Sequence, residues 1–141
     1  MITETVTYLE TNKTALGLAL VGGAAEFQKA VETNPAATPA AYVIELDETA
    51  GPSPATEVHQ RVKATIGIVH VVRNVADIKG DGARKDMETL RAATKAKLLG
   101  WSIAAGFDPL ERARSNLLTF RDGHMWWQDA YTTAYFDRSV L

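Results

Sequence analysis

The fold of this sequence is decided by one segment, Val62-Lys63-Ala64-Thr65-Ile66-Gly67-Ile68-Val69-His70-Val71-Val72-Arg73-Asn74-Val75. Charged and apolar residues alternate at its start, which is typical of a strand with one face in water. From Ile66 to Val72 both faces become apolar and β-branched, as a strand covered on both sides requires. Each large apolar side chain buried there contributes at most roughly 1.5–3 kcal/mol. The sequence therefore predicts that this segment is the central strand of one sheet.

The composition is that of an ordinary globular domain. The chain has 141 residues, of which 46% are hydrophobic and 23% charged. A formal net charge of −2 gives no reason to expect a nucleic-acid-binding protein, because phosphate neutralisation needs clustered Lys and Arg. The absence of cysteine excludes disulfides and thiolate metal sites. The N-terminus does not resemble a signal peptide and the longest apolar run is about half a membrane span, so we expect a protein made in the cytoplasm.

The part of the chain before the central strand is predicted to contain short helices and one further main strand. Residues 2–9 carry apolar side chains at i, i+4 and i+7, which predicts a helix. Residues 16–20 suggest a short strand or an extended approach to one, and residues 24–32 a second helix. The inward residues of this second helix are predicted to be Phe27, Ala30 and Val31. Residues 40–46 alternate as a second main strand.

The connection between the second main strand and the central strand is rich in turn residues. Two prolines and a glycine fall within residues 51–54, and prolines interrupt a hydrogen-bonded ladder. We therefore predict an exposed loop over residues 47–56 and an antiparallel hairpin between the strands that it joins.

The part after the central strand is predicted to contain a loop, a long helix and a hairpin. The predicted segments are a polar loop at 75–84, a helix at 85–99, irregular chain at 102–112, and strands at 116–121 and 125–135 joined around Asp122-Gly123. The element order indicates a single α+β domain over residues 1–141. Its sheet is predicted to be mixed, mostly antiparallel, with about four to five strands packed against about two or three helices.

The residues give no indication of a catalytic, cofactor-binding or metal site. The histidines are His59, His70 and His124, and none has a second ligand at a useful spacing. His70 shares a strand face with apolar neighbours, which favours a hydrogen-bonded structural histidine. His124 and Asp129 would lie on opposite strand faces, so they are not expected to form an acid–base pair. No serine lies in a nucleophile elbow, and no glycine-rich segment matches a phosphate-binding loop.

Aromatic residues are concentrated near the C-terminus, where Trp126 and Trp127 are adjacent. On a strand they point to opposite faces, so both are buried only if both faces are covered. One cover would be the core. The other would be either an adjoining helix or a neighbouring subunit, because aromatic residues are enriched in interface cores.

Several fragments together resemble the tail terminator proteins of long-tailed bacteriophages. They are Val21-Gly22-Gly23-Ala24-Ala25-Glu26, Thr38-Pro39-Ala40-Ala41-Tyr42-Val43, Val69-His70-Val71-Val72-Arg73-Asn74, Leu99-Gly100-Trp101 and Tyr131-Thr132-Thr133-Ala134-Tyr135. The similarity runs from about Val21 to Phe136. It implies a small α+β virion protein that forms a hexameric ring at the head-proximal end of the tail tube. The ring would stop tube polymerisation and provide the surface that joins the head.

The resemblance also implies partners and interface residues. The expected partners are further copies of the chain, the tail tube protein and a head-completion or connector protein, with DNA passing through the ring and no membrane. Candidate subunit or tube contacts are Asp47, Glu48, Glu57, Arg61, Lys63, Arg73, Lys79, Arg84, Lys85 and Trp126. The acidic members on one loop would complement Lys79, Arg84 and Lys85 across a subunit boundary; alternatively, both loops are simply solvated. The competing functions are another head–tail joining or tail completion protein, and a small α+β enzyme or ligand-binding domain.

Overall fold

A computed structural model of the chain describes residues 1–54, 56–73 and 81–139; of Asp81 it describes only the backbone. In chain order its elements are α1 (Ile2–Thr11), α2 (Lys13–Leu16), β1 (Leu20–Gly22), α3 (Ala24–Thr33), β2 (Ala40–Ala50), β3 (His59–Arg73), α4 (Asp81–Leu98), β4 (Glu111–Arg121) and β5 (His124–Arg138). The predicted α+β class is confirmed. The described residues form four helices rather than two or three; the additional one is the single turn α2.

The strands form one sheet in the order β1-β2-β3-β5-β4. β1 runs parallel to β2, and every other neighbouring pair is antiparallel. The predicted central strand, β3, lies in the middle of the sheet and pairs with β5 from His59 to Arg73. The prediction of a mixed, mostly antiparallel sheet with a β2–β3 hairpin is therefore confirmed.

Both faces of β3 are covered, which explains why both are apolar. Ile66 and Ile68 face α1 and α4, and we call this side of the sheet the α4 face. Val69 and Val71 pack with Trp126 on the opposite side, beneath α3, which we call the α3 face. β3 therefore separates two cores, and side chains alternate between them because the side-chain period of a strand is two.

Each of the helices α3 and α4 packs an apolar stripe against the sheet, and residues at one end of each helix stabilise its terminus. α4 buries Met87, Leu90 and Leu98 against the sheet, and Gly100 follows it at φ 80°, a left-handed conformation that glycine adopts without strain. In α3 the Glu26 carboxylate accepts a 3.0 Å hydrogen bond from the Gly23 N–H, which satisfies a donor at the N-terminus of the helix. The prediction that Val31 faces inward is wrong: it is 40% exposed, because α3 covers the sheet with a narrower stripe.

Three predicted boundaries are corrected by the main-chain pairing. β2 continues to Ala50, so residues 47–50 form a strand and not a loop; the break in the ladder comes only at the glycine and prolines that follow. β4 begins at Glu111 instead of Asn116, and α4 at Asp81 instead of Lys85. The remaining part of the predicted loop, residues 75–80, and the predicted end of the central strand, residues 74–75, lie outside the described residues.

Candidate assembly interface

The acidic candidates lie at the turn between β2 and β3 and on the adjoining strand. Asp47 and Glu48 are exposed on β2, opposite Thr65 and Ala64 of β3. The Tyr135 hydroxyl donates a 3.1 Å hydrogen bond to the Glu48 carboxylate, which ties β2 to β5 across β3. Glu57 is exposed in the turn itself. These carboxylates are fixed to a strand and its turn, so their positions are better defined than a free loop would allow.

The candidates Arg61 and Lys63 lie on β3 close to the same turn. Both are exposed and border an open depression of about 300 Å³ that Asp108 and Glu111 also line. Arg61 forms an ion pair with Asp108 and lies 5.7 Å from the ring centroid of Phe136. Positive and negative groups therefore alternate here, and the depression has no strong charge of one sign.

The remaining basic candidates lie at the opposite end of β3. Arg73 ends the strand, and Arg84 and Lys85 are exposed in the first turns of α4. Lys79 lies outside the described residues. A strand of 15 residues spans about 45 Å, so within one chain the acidic turn and this basic end are far apart.

Trp126 is not available to a neighbouring subunit, which corrects its inclusion among the candidates. Its side chain is 2% exposed on the α3 face, with the ring of Phe27 edge-on at 6.2 Å. The Arg121 guanidinium covers the same indole at 5.0 Å and donates to the Val31 carbonyl of α3. Of the two covers left open by the sequence, an adjoining helix is the one that the structure contains.

A buried polar cluster joins α4 to three strands. Asp129 on β5 is 2% exposed and forms a bidentate ion pair with Arg91 of α4, with N···O distances of 2.9 and 2.7 Å. The Ser115 hydroxyl of β4 also donates to this carboxylate. His70 on β3 is completely buried; its Nε2 lies 3.0 Å from the Thr94 hydroxyl of α4, and its Nδ1 lies 3.9 Å from Asp129.

The cluster shifts the ionisation of its members in ways that suit packing. Burial lowers the pKa of His70 to about 4, against the attraction of the Asp129 charge. Burial would raise the pKa of Asp129, but the hydrogen bonds from Arg91 and Ser115 lower it. Burial, followed by the Asp129 charge, raises the pKa of the Tyr131 hydroxyl. At neutral pH the cluster therefore holds a neutral imidazole beside one compensated carboxylate.

This arrangement does not activate a nucleophile. A serine–histidine relay requires the hydroxyl to donate to the imidazole, whereas Ser115 donates to Asp129 and His70 is paired with Thr94. His124 is opposite Arg73 and Asp129 is opposite Ile68, so the two side chains lie on opposite faces of the sheet and do not pair. Among the described residues no group of three or more His, Asp and Glu could hold a metal ion, and no helix is long and apolar enough to cross a membrane.

The sequence carries one signal for the Arg91–Asp129 pair, in the position of Arg91 on α4. Arg91 is four residues after Met87, so it falls on the inward stripe of α4, where a charged residue needs a partner. The partners are 38 residues apart, and strand order alone brings them together.

The comparisons with known proteins agree with this fold. The family model described as "Phage tail terminator protein" matches residues 5–139. Twenty-nine chains of solved structures match, and one belongs to the "Virion of native gene transfer agent (GTA) particle". That chain has a TM-score of 0.60 and 13% identity over 95% of this chain and 94% of its own length, which shows a shared fold. No curated protein matches. Because the family model covers nearly the whole sequence, this chain belongs to the phage tail terminator family and is a structural component of the virion tail, not an enzyme.

Proposed function

We propose that this protein forms a ring, six subunits in number, that caps the head-proximal end of the tail tube. The ring stops tube polymerisation and provides the surface to which the head is joined. The observation that carries this proposal is the match of the tail terminator family model to residues 5–139. The neighbouring fold comes from a gene transfer agent virion, which supports a place in a particle of this kind.

The buried polar cluster supports an architectural role. Two of its ionisable members, His70 and Asp129, are at most 2% exposed, and the third, Arg91, is 18% exposed. Asp129 is compensated by Arg91, and the pair fastens the long helix to the sheet. Buried charges that are paired and hydrogen-bonded maintain a defined packing between the elements that carry them.

The two ends of β3 are the proposed contact regions along the ring axis. One end carries Arg73, which lines a surface depression together with Asp86 of α4, and Arg84 and Lys85 directly precede Asp86 on that helix. The other end carries Glu57 in the turn and Arg61 on the strand. If the strands run roughly along the axis, these ends form the two rims of the ring, one against the tail tube and the other against the head-completion or connector protein. DNA passes through the opening without sequence-specific contacts.

The test is electron microscopy of tails assembled with and without this protein. We expect tails of uniform length when it is present and tubes of unregulated length when the gene is deleted. Adding the purified protein to growing tubes should stop elongation and leave a ring at one end. Tails of normal length that fail to attach heads would instead indicate a joining or completion protein, and unchanged particles would refute the proposal.

A matched pair of variants locates the contacts at the rims. Lys85→Glu reverses a charge at the exposed start of α4, and Lys97→Glu makes the same change near the other end of this helix. If the Arg73 end meets the tube or the connector, Lys85→Glu should reduce the fraction of capped or head-attached tails more than Lys97→Glu. Equal behaviour of the two variants would contradict this assignment of the rim.

A further inference from the structure

The sheet has two long edges that no described strand covers. β1 pairs with β2 only from Ala40 to Tyr42, so the outer edge of β2 from Glu45 to Ala50, here the acidic edge, lacks a partner among the described residues. β4 lies at the other border of the sheet, and its outer side, here the basic edge, is also without a described partner strand. We propose that β4 of one subunit pairs with the acidic edge of the next subunit, an inference that rests on the ring proposed above.

The exposed surface of β4 suits a strand that is completed by another chain. Long unprotected edges expose a row of backbone donors and acceptors that readily pair with a further strand. Leu117, Leu118 and Phe120 are 48%, 42% and 43% exposed on β4. With Asp47 opposite Arg114, the acidic edge reaches β4 only to about Asn116, so these three apolar side chains form an exposed patch next to the strand contact.

The two edges carry opposite charges. The acidic edge contains Glu45, Asp47 and Glu48 and no basic residue. β4 contributes Arg112 and Arg114 to the basic edge, both exposed, with a single acidic residue, Glu111, at its start. Pairing two copies of the same edge would place like charges directly opposite each other, which is destabilising. The charges therefore disfavour a twofold dimer and favour the head-to-tail contact that a closed ring needs.

The faces of the charged residues define a register. Glu48 is opposite Ala64 and Arg112 is opposite Tyr131, which places both charges on the α4 face. Asp47 is opposite Thr65 and Arg114 is opposite Ala130, which places both on the α3 face.

An antiparallel pairing of Glu48 with Arg112 and of Asp47 with Arg114 therefore joins each acid to an arginine on its own face. The register irregularity at Leu46 in β2 places Glu48 on the α4 face and Asp47 on the α3 face. The irregularity at Ala113 in β4 lets Arg112 and Arg114 lie on these two different faces although they are two residues apart.

The strand directions agree with this contact. Within one chain β2 and β4 run in opposite directions, because three successive antiparallel pairings separate them. In a cyclic ring whose axis runs roughly along the strands, every copy has the same orientation, so the two edges meet antiparallel. Arg84 and Lys85 lie at the far end of β3 from Glu48, so Arg112 and Arg114 replace them as the partners of the acidic residues.

Cysteine cross-linking tests the register, because the chain contains no cysteine of its own. The first pair is Asp47→Cys with Arg114→Cys, and the second is Glu48→Cys with Arg112→Cys. Cα atoms opposite each other across antiparallel strands are about 4.5–5.5 Å apart, within the range of about 4.4–6.8 Å found in disulfides. Mild oxidation of tails that carry either pair should give a ladder of cross-linked species on a non-reducing gel. In the matched control, Asp47→Cys with Arg112→Cys, the two cysteines lie on opposite faces of the sheet, so no ladder of cross-linked species should form.

Charge reversal provides an independent readout. Asp47→Arg and Arg114→Asp should each cause loss of rings from purified tails, and the double variant should restore them. Rings on wild-type tails, together with no ladder and no rescue, would overturn this contact while the proposed capping function stands. The absence of any ring on wild-type tails would overturn both. A ladder with rescue, in a particle whose tail length does not depend on the protein, would support the contact and refute the capping function.

Discussion

His70 makes the stability of this protein depend on pH in the mildly acidic range. The imidazole is completely buried and paired with Thr94. Burial lowers its pKa in the folded protein to about 4, against the attraction of Asp129, whereas the ordinary value of 6.5 applies to the unfolded chain. The unfolded chain therefore binds the proton more readily, and protonation of His70 favours unfolding.

The size of the effect follows from the two pKa values. The folding free energy from this group is fully present above pH 6.5 and is lost as the pH falls from 6.5 towards 4. From proton linkage, the unfolding free energy falls by about 3 kcal/mol between pH 6.5 and pH 4, and by about 2 kcal/mol between pH 7 and pH 5. Asp129, whose pKa is lowered, remains ionised in this window and contributes its own loss at lower pH.

Urea unfolding at pH 7 and pH 5 measures this loss directly. The wild-type protein should lose about 2 kcal/mol of unfolding free energy between the two pH values. His70→Gln should be less stable at pH 7 but should lose much less on acidification. His59→Gln leaves His70 in place and should retain the wild-type decline. The reasoning is refuted if His70→Gln shows the same decline as the wild type.

Three further substitutions test the packing by urea unfolding at pH 7. Arg91→Met leaves the Asp129 carboxylate buried without its cation and should cost about 3–5 kcal/mol; a loss below about 1 kcal/mol would mean that water compensates the charge. Trp126→Ala removes an indole that is 2% exposed and should cost about 3–5 kcal/mol, whereas a wild-type midpoint would contradict its place beneath α3. Gly22→Ala places a Cβ 2.7 Å from the Cβ of Glu26 and should cost about 1–3 kcal/mol, and an unchanged midpoint would show that α3 can shift to accept the methyl group.

Local sequence determined the elements whose formation depends on neighbouring residues. The β-branched run from Ile66 to Val72 predicted the central strand, because a segment that is apolar on both faces is stable only when both are covered. Asp122-Gly123 predicted the turn between β4 and β5, and both residues have positive φ values, 51° and 72°. The alternation of the central strand also predicted that His70 faces the same core as Ile66.

Tertiary structure decided the parts of the sheet that face solvent. The acidic half of β2 and the first residues of β4, from Glu111, show no apolar alternation, because neither face of these segments is buried. They are strands because the backbones of β3 and β5 provide hydrogen-bonding partners, and hydrophobic patterns report burial and not backbone pairing.

The same distinction applies to the charges. Arg91 meets Asp129, and the acidic and basic edges take opposite sides of the sheet, only because the strand order places β5 between β3 and β4. The sequence by itself determined which segments must be buried. Only the tertiary fold decided which distant residues are in contact, because contacts between residues far apart in sequence depend on the path of the whole chain.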